Sequence, residues 1–389
     1  MRYSKNALSL SPSNTLAISA LAQNLAKSGR EIINFSTGEP DFDTPSKIKD
    51  KAIEAIQQGF SKYTAVSGII ELREAIAQKL LRDNQLSYSP KEIIVSNGAK
   101  HSLFNAMCAI LEKDDEVLIP SPYWVSYPEI AKFCQAKPIF IPSLQKNDFK
   151  ITPQDLKKAI TAKTKLLILN SPSNPTGSVY SKEEFLALAE VLKGSDIWVI
   201  SDEIYEKLTY GDHFVSLASL SQDLLERTIT INGLSKSTAM TGWRMGYLAS
   251  KDSTLLSCID NLQGNSTSNI NSFTQMASIT ALSLESEVEQ MREEFQRRRD
   301  FAYKLCSSIP SLSLNCPDGA FYLFINITQS KRFAKESMSF AKALLEEQGV
   351  AIVPGVAFGY EGFIRMSFAT SMQNIQRGLE KISLFLENY

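Results

Sequence analysis

The stretch Thr228-Ile229-Thr230-Ile231-Asn232-Gly233-Leu234-Ser235-Lys236-Ser237-Thr238-Ala239-Met240-Thr241-Gly242-Trp243-Arg244-Met245-Gly246-Tyr247 sets a lysine just past a short β-branched run and an arginine eight residues later. The run reads as a strand, and the residues around the lysine as the loop at its end. Lysine is the side chain that bonds covalently to an aldehyde cofactor and then shuttles a proton. A nearby arginine offers the planar fork that clamps a phosphate. A surface lysine in an ordinary loop would read the same way, so the stretch gains meaning only from company elsewhere in the chain.

Outward from this stretch, apolar runs alternate with helical patterns. Strands are predicted at Glu92–Ser96, Glu116–Pro120, Lys137–Ile141, Lys165–Asn170, Ile197–Ser201, Thr228–Asn232 and Met245–Ala249. Several are apolar almost throughout, as expected of strands covered on both faces. Helices are predicted between them at His101–Leu111, Pro153–Ile160 and Lys182–Leu192. This is the pattern of an α/β fold with a mostly parallel, seven-stranded sheet between helices. Beyond Ser250 a long helix is expected over Thr274–Leu305. Then come the run Phe321–Ile325, a helix over Glu336–Glu347, and runs at Val350–Val353 and Phe363–Phe368. These define a second, smaller α+β unit, against which the first ~30 residues are expected to pack, or against a partner subunit.

In open α/β sheets ligands bind beyond the carboxyl ends of the strands, and chemistry-bearing residues collect there. Asn97-Gly98-Ala99-Lys100 joins a strand to a helix, a place where backbone N–H groups and the helix dipole receive anions. A plain turn would look alike, and short glycine motifs are weak signals. Ser121-Pro122-Tyr123-Trp124 offers an indole that stacks on a flat heterocycle or is simply half-buried core. Ser171-Pro172-Ser173-Asn174-Pro175-Thr176-Gly177 is a rigid turn that fixes the Asn174 amide. Ser201-Asp202-Glu203-Ile204-Tyr205 puts a carboxylate after an apolar strand. Burial there demands a cationic partner, such as a protonated ring nitrogen, unless Asp202 is a helix cap.

Composition removes other classes. The 389 residues are 43% hydrophobic, enough for two or three domains. A net charge of −1 and a pI near 6.3 give no electrostatic case for nucleic acid. The run Arg297-Arg298-Arg299 lies in a helical stretch and reads as a solvated face. Five scattered cysteines without C-x-x-C argue against zinc and for reduced thiols. No metal site is expected. Neither a signal core nor a membrane span is seen, so a cytoplasmic protein is expected. The two histidines, His101 and His213, leave little room for histidine acid–base chemistry, and the segment Tyr210–His213 reads as a turn. No G-x-G-x-x-G follows a strand, which disfavours a dinucleotide-binding dehydrogenase.

Taken together, Ser96–Lys100, Ser121–Trp124, Ser171–Gly177, Ser201–Tyr205, Ser235–Tyr247 and Phe363–Phe368 resemble, in order and over nearly the whole chain, the pyridoxal-phosphate aminotransferases of the aspartate aminotransferase fold. The similarity is greatest to the bacterial aspartate and aspartate/prephenate subgroup. The resemblance implies pyridoxal 5'-phosphate as cofactor. It gives Lys236 the Schiff-base position, Asp202 the partnership with the pyridinium nitrogen, and Tyr205 and Asn174 the hydrogen bonds to the phenolic oxygen. Trp124 takes the place of the ring that stacks on the cofactor. Gly98, Ala99 and Lys100 take the phosphate loop, and Arg244 the phosphate clamp. Tyr63 matches a tyrosine that reaches the phosphate from the other subunit of a homodimer with shared active sites. Arg365 matches the arginine that holds the substrate α-carboxylate, and Gly38 a backbone substrate contact.

The resemblance further implies an N-terminal segment over 1–45, a large cofactor-binding domain over 46–285 and a small domain over 286–389. It points to transamination of L-aspartate with 2-oxoglutarate. Aminotransferases for aromatic amino acids, alanine or prephenate share every one of these motifs. A lyase on the same fold, consuming S-adenosylmethionine, is a different class. A ligand-sensing regulator would need an N-terminal DNA-binding domain, and Thr37-Gly38-Glu39-Pro40 begins too early to leave room for one. Two positions depart from the pattern. Gly233 stands where many relatives carry a phosphate-contacting serine, so that contact is absent or falls to Ser235. Ser11 stands before Pro12-Ser13-Asn14-Thr15 where prephenate users tend to carry lysine. Ser13 and Thr15 are candidate hydroxyl donors to a distal carboxylate.

Overall fold

Apolar runs without polar alternation are stable as strands only where both faces of a sheet are covered, and that is where they fall in the computed structural model. The described residues are 3–11, 14–211, 214–331, 333 and 336–387, without the side chains of 14–16. Asp212 and His213 of the expected turn lie outside them, as do Ser13 and the side chain of Thr15. The described strands are β1 (Ile33–Asn34), β2 (Ile93–Asn97), β3 (Glu116–Ser121), β4 (Lys137–Pro142), β5 (Thr164–Asn170), β6 (Trp198–Asp202), β7 (Thr228–Gly233), β8 (Met245–Ala249), β9 (Tyr322–Asn326), β10 (Val350–Ala351), β11 (Val353–Pro354) and β12 (Phe363–Ser367).

Seven of them build the central sheet in the order β2-β8-β7-β6-β5-β3-β4. Strand β8 runs antiparallel to both its neighbours, β7 and β2, and the remaining pairings are parallel. The carboxyl ends of six strands therefore share one edge, and the amino end of β8 joins them there. Both faces are packed. Leu103, Met107, Ile130 and Ile259 cover one with helices Ala99–Ile110, Ser126–Phe133 and Ser253–Gly264. Leu156, Phe185, Leu188 and Leu192 cover the other with helices Pro153–Ala159 and Lys182–Leu192. Capping boxes at Thr152/Asp155 and Ser181/Glu184 start the last two helices.

Two expected elements differ. The long helix over Thr274–Leu305 is two helices, Ser272–Ala281 and Glu285–Ser307. Leu282 and Leu284 are both buried in the core beneath β2 and β8. Residues two apart on one helix point roughly 200° away from each other, so a continuous helix would bury only one of them. The run Val350–Val353 likewise splits. Val350 pairs with Ile33 in a parallel β1–β10 ladder, while Val353 pairs with Arg365 in the antiparallel β11-β12-β9 sheet. That sheet shares a core with the N-terminal helix Asn14–Lys27: Ile18 and Ala22 pack in one cluster with Phe35, Phe295, Tyr322, Phe340 and Phe385.

One close approach controls the edge of the sheet. Gly246 of β8 pairs with Ser96 and Gly233, and a Cβ there would stand 2.1 Å from the Ala99 backbone nitrogen. Gly246→Ala should therefore destabilise the protein by about 1–3 kcal/mol or more, the cost of overpacking against rigid backbone. The midpoint of urea unfolding checks this, and an unchanged midpoint would mean that the helix start yields freely.

Candidate active site

At the carboxyl edge of the sheet a cavity of about 650 Å³ opens between the strand ends and the β9–β12 sheet. Of the residues expected to form a site, Gly38, Ala99, Lys100, Trp124, Asn174, Asp202, Tyr205, Ser235, Lys236, Arg244 and Arg365 line it. Gly98 adjoins it through Arg244. Tyr63 does not join them; it lies on the surface, 91% exposed.

Lys236 sits in the loop after β7 and its Nζ donates to the Gly38 carbonyl at 2.6 Å. Loss of hydration brings its ammonium down to about 8. Arg365 and Arg244 push in the same direction, while Glu39 and Asp202 oppose them. The loop is tied to the N-terminal segment. Thr241 Oγ1 donates to Glu39 at 2.9 Å, and Thr44 Oγ1 donates to the Ala239 carbonyl at 2.8 Å.

Asp202 ends β6 and is buried. Its carboxylate accepts from Tyr127 Oη at 2.7 Å and from the Ile204 N–H at 3.3 Å. Burial raises its pKa in spite of those bonds and of Lys236 nearby. Among the described residues it makes no ion pair, so a buried carboxylate faces the cavity without a bonded cation. Tyr205, also buried, shares a 2.8 Å hydrogen bond with Tyr322 Oη. Burial, with Tyr322 beside it, holds its phenol well above the ordinary value.

Arg365 reaches in from β12 and is 4% exposed. Nη1 donates to Asn174 Oδ1 and Nη2 to the Ser36 carbonyl, each at 3.0 Å, with the guanidinium 4.2 Å from the Tyr322 ring centre. Its Nε is buried without a partner. Such a donor is costly unless a ligand meets it.

At the opposite wall the helix Ala99–Ile110 begins after Gly98, which has φ of 87° and no side chain to cap the first N–H groups. A Cβ on Gly98 would come within 2.4 Å of Arg244 Nη2. Arg244, itself left-handed at φ 58°, is braced by the carbonyls of Thr241 (3.0 Å) and Asn97 (3.3 Å). Free N–H groups at a helix start beside a guanidinium make an anion site. Lys100 Nζ lies 4.8 Å from the Trp124 ring centre and pairs with no carboxylate among the described residues. Burial lowers its pKa, with Arg244 adding to the effect.

Reasoning from sequence missed Tyr127, Tyr322 and the ammonium of Lys100. Tyr127 stands one helical turn past Trp124 and had that spacing as a signal, whereas nothing local marks Tyr322. A larger cavity, about 800 Å³, lies behind the lysine loop. Its charges are already paired, Lys207 with Asp83 at 2.8 Å, Arg292 with Glu289 at 2.6 Å and Lys79 with Glu206. It therefore lacks the unmatched charges that converge in the smaller one; the unmatched group on its wall is the neutral Asn232 amide nitrogen.

The profile of the family "Aminotransferase class I and II" matches residues 30–382. Over 393 residues the chain is 47% identical to the aspartate aminotransferase of Bacillus subtilis (strain 168), covering all of both chains. It is 44% identical to the aspartate/prephenate aminotransferase of Nitrosomonas europaea, covering 99% of this chain and 100% of that one. The crystal structure of the aspartate aminotransferase from Rhizobium meliloti superposes with a TM-score of 0.96 at 40% identity, over 100% of this chain and 99% of the other. The chain belongs to the class I and II aminotransferase family, whose cofactor is pyridoxal phosphate. The cavity suits that group. It combines an anion cradle at Gly98–Lys100 and Arg244, an aromatic face at Trp124, and a buried carboxylate that lacks a bonded cation.

Because the folded-state value of Lys236 lies below the unfolded one, the unfolded chain holds the extra proton between about pH 8 and 10.5. The contribution of this group to stability therefore rises with pH across that window. In cofactor-free protein, acylation of Lys236 should show a midpoint near pH 8, read by peptide mass spectrometry. A midpoint near the ordinary lysine value would contradict the burial argument.

Proposed function

We propose that this aminotransferase moves the amino group of L-aspartate to 2-oxoglutarate, forming oxaloacetate and L-glutamate in two half-reactions. The observation that carries the reading is a pair of cations lining one cavity: Arg365 with an unpartnered Nε, and Lys100 with no carboxylate of its own. Dicarboxylic amino and oxo acids present two carboxylates to satisfy them. The names of the full-length relatives at 47% and 44% identity support the same substrate.

When bound, pyridoxal phosphate supplies an aldehyde that takes up the amino group and a ring that accepts electrons. In this reading the N–H groups after Gly98, with Ser235 and Arg244, would hold its phosphate. Trp124 would pack on its ring, Asp202 would pair with its ring nitrogen, and Asn174 and Tyr205 would serve its ring oxygen. Tyr127, donating to Asp202 Oδ2, aims that carboxylate and favours its ionised form against the effect of burial. Arg365 receives the substrate α-carboxylate as a planar fork, beside the backbone of Gly38.

Lys236 then works as the base. With its pKa near 8, roughly a tenth of it is neutral at pH 7, against well under a thousandth for an ordinary lysine. The neutral Nζ can take a proton from the substrate Cα, hold it, and give it up again.

The exposed phenol of Tyr63 belongs to the same proposal. It is available to a second copy, so the protein acts as a homodimer in which Tyr63 of the partner subunit completes the phosphate site. The segment 1–45, large domain 46–285 and small domain 286–389 are proposed as the units. Among the described residues no helix is long and apolar enough to cross a membrane, and a cytoplasmic location is part of the proposal. Prephenate as a second amino acceptor is a further reading, favoured by the name of the Nitrosomonas relative.

The experiment is a half-reaction. Adding L-aspartate alone to the holoenzyme should convert its visible absorption band to the aminated cofactor's near-ultraviolet band. A band indifferent to aspartate would remove the substrate assignment and leave the family unaffected. Asp202→Ala should lower kcat by roughly 10²-fold or more, the scale of losing a preorganised charge. Arg365→Lys should raise KM for both the amino and the oxo substrate, because a point charge cannot reproduce the fork. Unchanged steady-state constants would take either residue out of the mechanism.

A further inference from the structure

Two thiols outside the cavity face each other. Cys108 lies in the last turn of helix Ala99–Ile110, and Cys134 directly follows helix Ser126–Phe133. Their Sγ atoms are 3.5 Å apart across 26 residues of chain. Both are half-buried, whereas Cys306 is buried and Cys258 and Cys316 are exposed without a sulfur partner. The rings of Phe104 and Phe133, 5.2 Å apart, brace the same two helices against each other. A disulfide needs about 2.05 Å between sulfurs, so closure asks for a movement of roughly 1.5 Å. Rotation about the Cα–Cβ bonds can supply much of that without unfolding either helix.

We propose that Cys108 and Cys134 form a reversible redox-modification site whose reactant is a peroxide. Either sulfur can donate to the other across the 3.5 Å contact, so either can be the one that attacks. The attacking thiolate takes one oxygen of hydrogen peroxide as the O–O bond breaks, giving a sulfenic acid and hydroxide, which takes up the proton that thiol had released, forming water. The second sulfur then displaces the hydroxyl: the S–S bond forms, the S–O bond breaks, and the second thiol's proton leaves with the hydroxyl as a second water. Two thiols and one peroxide become one disulfide and two waters, with two electrons passing from sulfur to oxygen. The link would join the helix that starts at Gly98 to the one that follows Trp124, the elements bearing the anion cradle and the aromatic face.

The test treats the holoenzyme with millimolar hydrogen peroxide, then maps peptides without reduction after blocking free thiols. The expected result is a Cys108–Cys134 linked pair, 2 Da lighter than the sum of its peptides and cleaved by dithiothreitol. In Cys134→Ser the link should vanish and a sulfenic acid should accumulate on Cys108, trapped by dimedone. Recovery of Cys108 and Cys134 as free thiols while Cys258 and Cys316 are oxidised would overturn the proposal, and needs no variant to be read.

Discussion

Everything in the cavity hangs on the hydrogen-bond register of the central sheet. Asn170 lies level with Asp202 across β5 and β6, Asp202 with Ile231 across β6 and β7, Gly233 with Gly246, and Asn97 with Met245. Side-chain direction in a strand has a period of two, so a slip of one residue on any ladder would turn a functional side chain into the opposite face. The single reversed strand matters as much. Because β8 runs against its neighbours, the residue before it, Arg244, arrives at the edge where the other strands end. Five strand ends and one strand start thus deliver the anion cradle, the aromatic face, the turn amide, the carboxylate, the lysine and the guanidinium to one place.

That convergence has a cost, and the surrounding residues limit it. A buried carboxylate, a buried guanidinium and a partly desolvated ammonium would each be unfavourable alone. Tyr127 donates to Asp202, and Asn174 and the Ser36 carbonyl accept from Arg365. The Gly38 carbonyl accepts from Lys236. Arg365 belongs to β12, Asn174 to the turn after β5, and Ser36 to the segment after β1. One guanidinium therefore joins three separate parts of the chain at the cavity wall. A ligand that met its remaining Nε would touch a group already bonded to the other two parts.

Much of this was readable in the residues because it depends on local chemistry. Continuous apolar runs placed the strands to within a residue or two, and the helical patterns between them placed the helices that start after Thr152 and Ser181. Polar residues just past apolar runs gave Asp202, Lys236 and Asn174. What stayed hidden depends on contacts distant in sequence. Tyr322 meets Tyr205 across 117 residues. The break at Leu282–Leu284 comes from what those side chains bury against, with no proline or glycine to announce it. The free ammonium of Lys100 appears only when every carboxylate around it has been placed.

The glycine at 233 shows how a departure at one position can be read through its neighbour. A Cβ on Gly233 would stand 2.8 Å from the Met245 carbonyl and 2.9 Å from Gly246 Cα. Gly246 in turn has the Ala99 nitrogen where its own Cβ would be. These two glycines, paired across β7 and β8, let three backbones stack closely: the strand that leads to the lysine, the strand that follows Arg244, and the start of the helix after Gly98. A serine at 233 would add a hydroxyl near the anion cradle and force these backbones apart. With glycine the spacing is kept, and the hydroxyl that lines the cavity comes from Ser235, two residues nearer the lysine.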